Sequence, residues 1–117
     1  MNRILVVEDE VLLAMHLEDL LIAMGHEVVG PATRIPEALE FARQADLDFA
    51  VLDVNVAGSQ SFPVADVLLI RSIPFVFATG YGAEGFLDTY RDHPTLRKPY
   101  EPRELQRAIE RALAYPV

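Results

Sequence analysis

The chain of 117 residues contains no cysteine. There is therefore no disulfide framework and no thiolate metal site, and the fold must rest on burial of apolar side chains. Basic residues are also scarce, 10 Lys and Arg against 18 Asp and Glu, giving a net charge of −8 with no acidic tail or basic stripe. Nucleic acid is thus a poor expectation as partner, because binding it normally takes a positive face to neutralise phosphates. No apolar run reaches the ~20 residues that cross a bilayer. The longest, Val11 to Met24, is broken by His16, Glu18 and Asp19, and with acids arriving at position 8 the first residues lack the basic, apolar and small-residue regions expected of a signal peptide. Repeats, low-complexity tracts and Pro/Ser-rich linkers are absent. What is present is a 51% hydrophobic composition in a length near the commonest for one domain. The expectation is a single soluble, cytoplasmic domain over residues 1–117, with no output domain and no membrane or nucleic-acid partner.

Strand and helix signals alternate along the chain. Arg3 to Val7 is a short β-rich run, and Val11, Leu12, Met15, Leu20, Leu21 and Met24 recur at helical spacing until Gly25. Glu27 to Gly30 reads as a second strand ended by Gly30-Pro31, and Pro36 to Ala45 as a second helix. Residues 48–54, "DFAVLDV", are continuously apolar apart from their acids, as a strand covered on both faces should be. A loop with Gly58 and Ser59 leads to a helix over Phe62 to Ile70, and "PFVFA" from Pro74 to Ala78 is a fourth strand. A weak helix is expected over Ala83 to Arg91, a brief fifth strand over Thr95 to Arg97, and a last helix from Pro102, with Leu105, Ala108, Ile109, Ala112 and Leu113 on its apolar side. Five strands alternating with five helices predict an α/β, doubly wound parallel sheet with helices on both faces. Ligands of such sheets bind outside the carboxyl ends of the strands.

Glu8 and Asp9 follow the first strand, Asp53 ends the third, Thr79 follows the fourth and Lys98 the fifth. Each has an ordinary reading taken alone: Asp9 as a helix N-cap, Asp53 as a turn starter, Thr79 as a loop hydrogen-bonder, Lys98 as a solvated charge. Together they place three carboxylates on one rim. Two charges ~4 Å apart repel by about 4 kcal/mol at an effective dielectric of ~20, so the cluster calls for a cation. The donors are all oxygen, which selects a hard ion, and Mg²⁺ is favoured. A metal, a lysine and a hydroxyl around a central carboxylate make a cradle for a phosphoryl group. Asp53 is the candidate nucleophile, forming an acyl phosphate. Glu8 and Asp9 would hold Mg²⁺, with Asp53 and the backbone carbonyl of Asn55 adding oxygens, while Lys98 and Thr79 contact the phosphoryl oxygens.

The segments "ILVVEDE", "AVLDVN", "FATG" and "RKP", in this order and spacing, resemble the receiver domain of bacterial two-component response regulators over nearly the whole chain. The resemblance implies the flavodoxin-like receiver fold with strand order 2-1-3-4-5. It makes Asp53 the phosphoacceptor, Glu8 and Asp9 the acidic metal pair, Thr79 the switch hydroxyl and Lys98 the family lysine, with Lys98-Pro99 a cis peptide. The implied partner is a sensor histidine kinase or a histidine phosphotransfer protein. Two features depart from the usual pattern: Thr95 stands where many receivers carry an aromatic, and "VNVAGSQSFPVAD" replaces the Met-Pro pair after the acceptor. With "PFVFATGYG" these changes are similar to the often stand-alone subgroup named for a Phe-Ala-Thr-Gly signature followed by an aromatic, which points to Tyr81 for signalling or partner contact; an exposed loop aromatic is the plainer reading.

His16, His26 and His93 share no ligand spacing and read as structural or surface residues, the apolar stripes of the first and last helices as core, and Arg103, Arg107 and Arg111 as a solvated face. Two rival functions stay open. One is a phosphorylation-independent adaptor on the same fold. The other is an aspartyl-phosphate phosphatase, which commonly needs a second acid two residues past its nucleophile, where this chain has Asn55. A nucleotide-binding module fares worse, since the first loop is Glu-Asp-Glu rather than glycine-rich.

Overall fold

A computed structural model describes residues 2–80, 90 and 92–114. The parallel sheet contains β1 (Arg3–Val7), β2 (Glu27–Ala32), β3 (Phe49–Asp53), β6 (Phe75–Thr79) and β7 (Thr95–Arg97), in the order β2-β1-β3-β6-β7. All four pairings are parallel, which is the expected doubly wound order. The described helices are α1 (Val11–Ala23), α2 (Ile35–Gln44), α3 (Phe62–Ile70) and α4 (Pro102–Ala114). The helix expected over 83–91 falls, Tyr90 apart, outside the described residues, as does Tyr81.

Side-chain alternation along the strands divides the core in two. Leu5, Val7, Ala50, Leu52, Phe75 and Phe77 face α2 and α3, packing on Ala38, Ala42, Val64 and Leu68. Ile4, Val6, Phe49, Val51, Val76 and Ala78 face α1 and α4, packing on Leu17, Leu21, Leu105 and Ile109. β3 sits at the centre, its first four residues buried, which explains its uninterrupted apolar run.

Three local expectations are corrected. β2 does not stop at Gly30-Pro31 but continues to Ala32, and Ala32 pairs with Val7 after a register shift. It is an edge strand, so the N–H that Pro31 lacks removes no bond from the sheet interior. Gly30 is required at the shift: its φ is +95°, and a Cβ there would lie 2.7 Å from the amide nitrogen of Ala32. The loop with Gly58 and Ser59 is a small antiparallel hairpin, β4 (Asn55–Val56) and β5 (Ser59–Gln60).

The third correction concerns α1, whose buried residues are Ala14, Leu17 and Leu21, whereas Val11, Leu12 and Met15 are exposed. The helix is apolar nearly all round, so spacing alone could not select the face that docks on the sheet. Its end follows the expected stop: Gly25 has φ +90°, with His26 N–H on the Leu21 carbonyl and Gly25 N–H on that of Ile22, a Schellman closure. Among the described residues no helix is long and apolar enough to cross a membrane.

Candidate functional site

Because the five strands run parallel, their carboxyl ends share one rim, and the candidate residues reach it from four of them. Glu8 and Asp9 leave β1, Asp53 closes β3, Thr79 closes β6, and Lys98 follows β7. Neighbouring backbones lock these ends together. Val54 N–H donates to the Ala78 carbonyl at 3.2 Å, and Lys98 N–H to that of Thr79 at 2.8 Å. Lys98-Pro99 is cis, as the resemblance implied.

The three acids converge: one carboxylate oxygen each from Glu8, Asp9 and Asp53 lie within 4.8 Å of one another. Lys98 Nζ stands 3.0 Å from Glu8 Oε1 and 3.4 Å from Asp53 Oδ1. Asp9 is held differently, its Oδ2 accepting the N–H of Ala57 at 2.9 Å. Thr79 is buried beside Lys98, on the face of β6 that carries Phe75 and Phe77. Asn55 opens the hairpin at the same rim and is exposed.

One lysine against three carboxylates leaves the site short of positive charge. Glu8 bears the consequence, being only 4% exposed. Burial first, and then the adjacent carboxyl of Asp53, push its pKa up to about 8 against the pull of Lys98. Its Oε2 is buried with no hydrogen-bond partner. Burial opposes the Lys98 charge as well, but the two carboxylates outweigh it and hold the ammonium above the ordinary lysine range. A cluster of hard oxygen donors with an orphaned buried oxygen and excess negative charge fits a divalent cation.

The raised Glu8 predicts a pH dependence. Without a cation the folded chain keeps this proton up to about pH 8, while the unfolded chain releases it near the ordinary 4.5. The folded state therefore binds more protons across that window, and stability declines as pH rises through it, by up to about 1.4 kcal/mol per pH unit. Melting temperatures of the chelator-treated protein should fall between pH 5 and 8, and Glu8→Gln should flatten the profile; an unchanged slope in that variant would assign the effect elsewhere.

Two groups around the site escape a reading of strand ends. One is the backbone amide of Ala57, which chemistry-bearing side chains do not signal. The other is Tyr90, which is 1% exposed, stacks on Phe62 with centroids 5.6 Å apart, and donates its hydroxyl to Asp66 Oδ1 at 2.5 Å. His93 joins the same group, stacking on Phe75 at 4.1 Å and donating from Nε2 to the Phe75 carbonyl, in accord with its structural reading. Thr95, at the usual aromatic position, is exposed and bonds the His93 carbonyl. Aromatic packing here lies instead along the Phe75–Phe77 face of the strand that ends in Thr79.

No family model matches the chain. The solution structure of SdrG from Sphingomonas melonis Fr1 shares 41% identity over 97% of both chains, with a TM-score of 0.84. SdrG is also known in a BeF3-activated conformation, 40% identical with a TM-score of 0.79. The phyllosphere-induced regulator PhyR of Methylorubrum extorquens is 35% identical over 119 residues, covering 97% of this chain and 44% of PhyR. The chain spans about half the length of the curated relatives it matches. At 21% identity, a likeness of fold alone, stands the receiver domain of the sensor histidine kinase PA1611 of Pseudomonas aeruginosa PAO1, solved with magnesium coordinated in its active site cleft; the TM-score is 0.80 over 97% of this chain. With the strand order, the rim residues and the similarity to SdrG and PhyR in agreement, the chain belongs to the response regulator receiver domains of two-component signalling.

Proposed function

We propose that the domain accepts a phosphoryl group on Asp53 from a phosphohistidine of a sensor kinase or phosphotransfer protein, and signals by altered protein contacts rather than by turning over substrates. The observation that carries this reading is the convergence of Glu8, Asp9 and Asp53 within 4.8 Å around the Lys98 ammonium. An Asp53 oxygen attacks phosphorus, the P–N bond to the donor imidazole breaks with its electron pair leaving on nitrogen, and an acyl phosphate results. Lys98 is placed to neutralise charge on the incoming phosphoryl oxygens, and the Thr79 hydroxyl to bond one of them once it arrives. Glu8, Asp9, Asp53 and the carbonyl of Asn55 would hold Mg²⁺, which when bound supplies charge neutralisation for the transfer. Support comes from the magnesium in the PA1611 cleft and from the activation of SdrG by BeF3, a chemical mimic of a phosphoryl group.

Val11, Leu12 and Met15, exposed on α1 just past the acids in sequence, offer the donor protein an apolar surface. Exposure to acetyl phosphate followed by intact-mass spectrometry tests the proposal. One phosphoryl group should be gained in Mg²⁺ and none after chelation. Absence of any adduct in Mg²⁺ would remove the reading in favour of a phosphorylation-independent adaptor.

A further inference from the structure

The β4–β5 hairpin is too short to hold itself. It has two residue pairs, Asn55 with Gln60 and Val56 with Ser59, and isolated hairpins are marginal even when longer. Its turn residues, Ala57 and Gly58, have φ of +51° and +83°, the signature of a type I′ turn. Alanine is strained there, by about 1–2 kcal/mol. Contacts outside the turn must therefore hold it. Val56 is fully buried, Ser61 N–H reaches the Val54 carbonyl at 2.9 Å, and Ala57 N–H reaches Asp9 Oδ2 at 2.9 Å across 48 positions of sequence. The first amide of a two-residue turn has no partner across the ladder, and here it is spent on a carboxylate of the acidic site.

That bond completes a pattern. Lys98 engages Glu8 Oε1 and Asp53 Oδ1, and Ala57 engages Asp9 Oδ2. Every carboxylate of the cluster thus has one oxygen held by a protein donor, and Glu8 Oε2 has none. Calcium sites favour six to eight oxygens with carboxylates often binding through both, whereas magnesium takes about six, usually one from each carboxylate. We infer that the Ala57 amide is a positioning group for the cation: by holding Oδ2 of Asp9 it leaves Oδ1 alone to bind, and so turns the site toward Mg²⁺ over Ca²⁺. The inference rests on the cation reading proposed above.

Calorimetric titration of the whole chain with Mg²⁺ and, separately, Ca²⁺ tests it in four proteins. Ala57→Pro removes the N–H and, because proline holds φ near −65°, displaces the turn that carries it; Mg²⁺ binding should weaken by about 10–100-fold, the usual effect of losing a group that orients a metal ligand, with Ca²⁺ weakened less. Ala57→Gly keeps the N–H and suits the positive φ, so both affinities should match wild type. Gly58→Val strains the turn without meeting any atom within 4 Å, and should shift the preference in the same direction as Ala57→Pro even if the proline variant does not fold. Equal loss of both cations in Ala57→Pro or Gly58→Val would mark a merely structural hairpin and overturn the inference. So would an unchanged Mg²⁺ preference in a folded Ala57→Pro or Gly58→Val protein. A wild-type chain that binds no Mg²⁺ would contradict the functional reading itself, and this inference with it.

Discussion

Asp53→Asn is expected to gain no phosphoryl group from acetyl phosphate and Mg²⁺ under conditions in which the wild type gains one by intact mass. The carboxamide keeps the shape of the side chain but presents no anionic oxygen to phosphorus. Neither remaining acid is placed to substitute. Glu8 is buried, with one oxygen held by Lys98. Asp9 has one oxygen tied to the Ala57 amide. The fold should survive, because the change removes a negative charge that repels the nearby Asp9 carboxylate, two charges ~4 Å apart repelling by about 4 kcal/mol in such surroundings. An adduct of undiminished yield in the variant would show that Asp53 is not the acceptor.

Phe77→Ala should produce the largest loss of stability. Phe77 is fully buried in the strand that ends in Thr79, edge-on to Phe62 at 5.6 Å, Phe75 at 5.5 Å and Tyr90 at 5.4 Å. Truncation removes a large apolar group and those ring contacts together. It leaves a cavity walled by other rings, which collapse poorly because each is fixed by its own partners, such as Tyr90 by Asp66 and His93 by the Phe75 carbonyl. A cost of about 3–5 kcal/mol is expected. Against a total stability of about 5–15 kcal/mol this is a large share. Urea unfolding should show a lower midpoint at unchanged slope. A loss under about 1 kcal/mol would mean that the aromatic cluster packs far more loosely than its geometry indicates.

The parts of this protein that could be read from sequence are those governed by short-range pattern. β3 announces itself because a strand covered on both faces must be apolar throughout, and Leu105 and Ile109 mark the buried side of α4 because its apolar residues fall on one side and its charged ones on the other. The rim residues were legible for a topological reason: in a parallel sheet, the residue after each strand reaches the same edge, so Glu8, Asp9, Asp53, Thr79 and Lys98 could be gathered without coordinates. What stayed hidden depends on tertiary partners. The docked face of α1 is chosen by the sheet, since Val11 and Leu12 are as apolar as Leu17 and Leu21. The β4–β5 hairpin rests on an alanine held at positive φ by Asp9, a conformation that "AG" alone signals weakly. Pro31 reads as a strand end, and only the position of β2 at the sheet edge lets the strand pass through it. Tyr90 looks like one residue of a weak helix until Phe62, Phe75 and Asp66 are seen around it.

The claim beneath the rest is that three carboxylates are held too close for the Lys98 charge to balance, so that the folded domain takes up a divalent cation. Thermal unfolding at pH 8, with Mg²⁺ varied at constant ionic strength, measures this directly. The account predicts a melting temperature that climbs with Mg²⁺, equivalent to about 2.7 kcal/mol of added stability at a hundred times the dissociation constant, and little response in Asp53→Asn. A wild-type melting temperature indifferent to Mg²⁺ would contradict it.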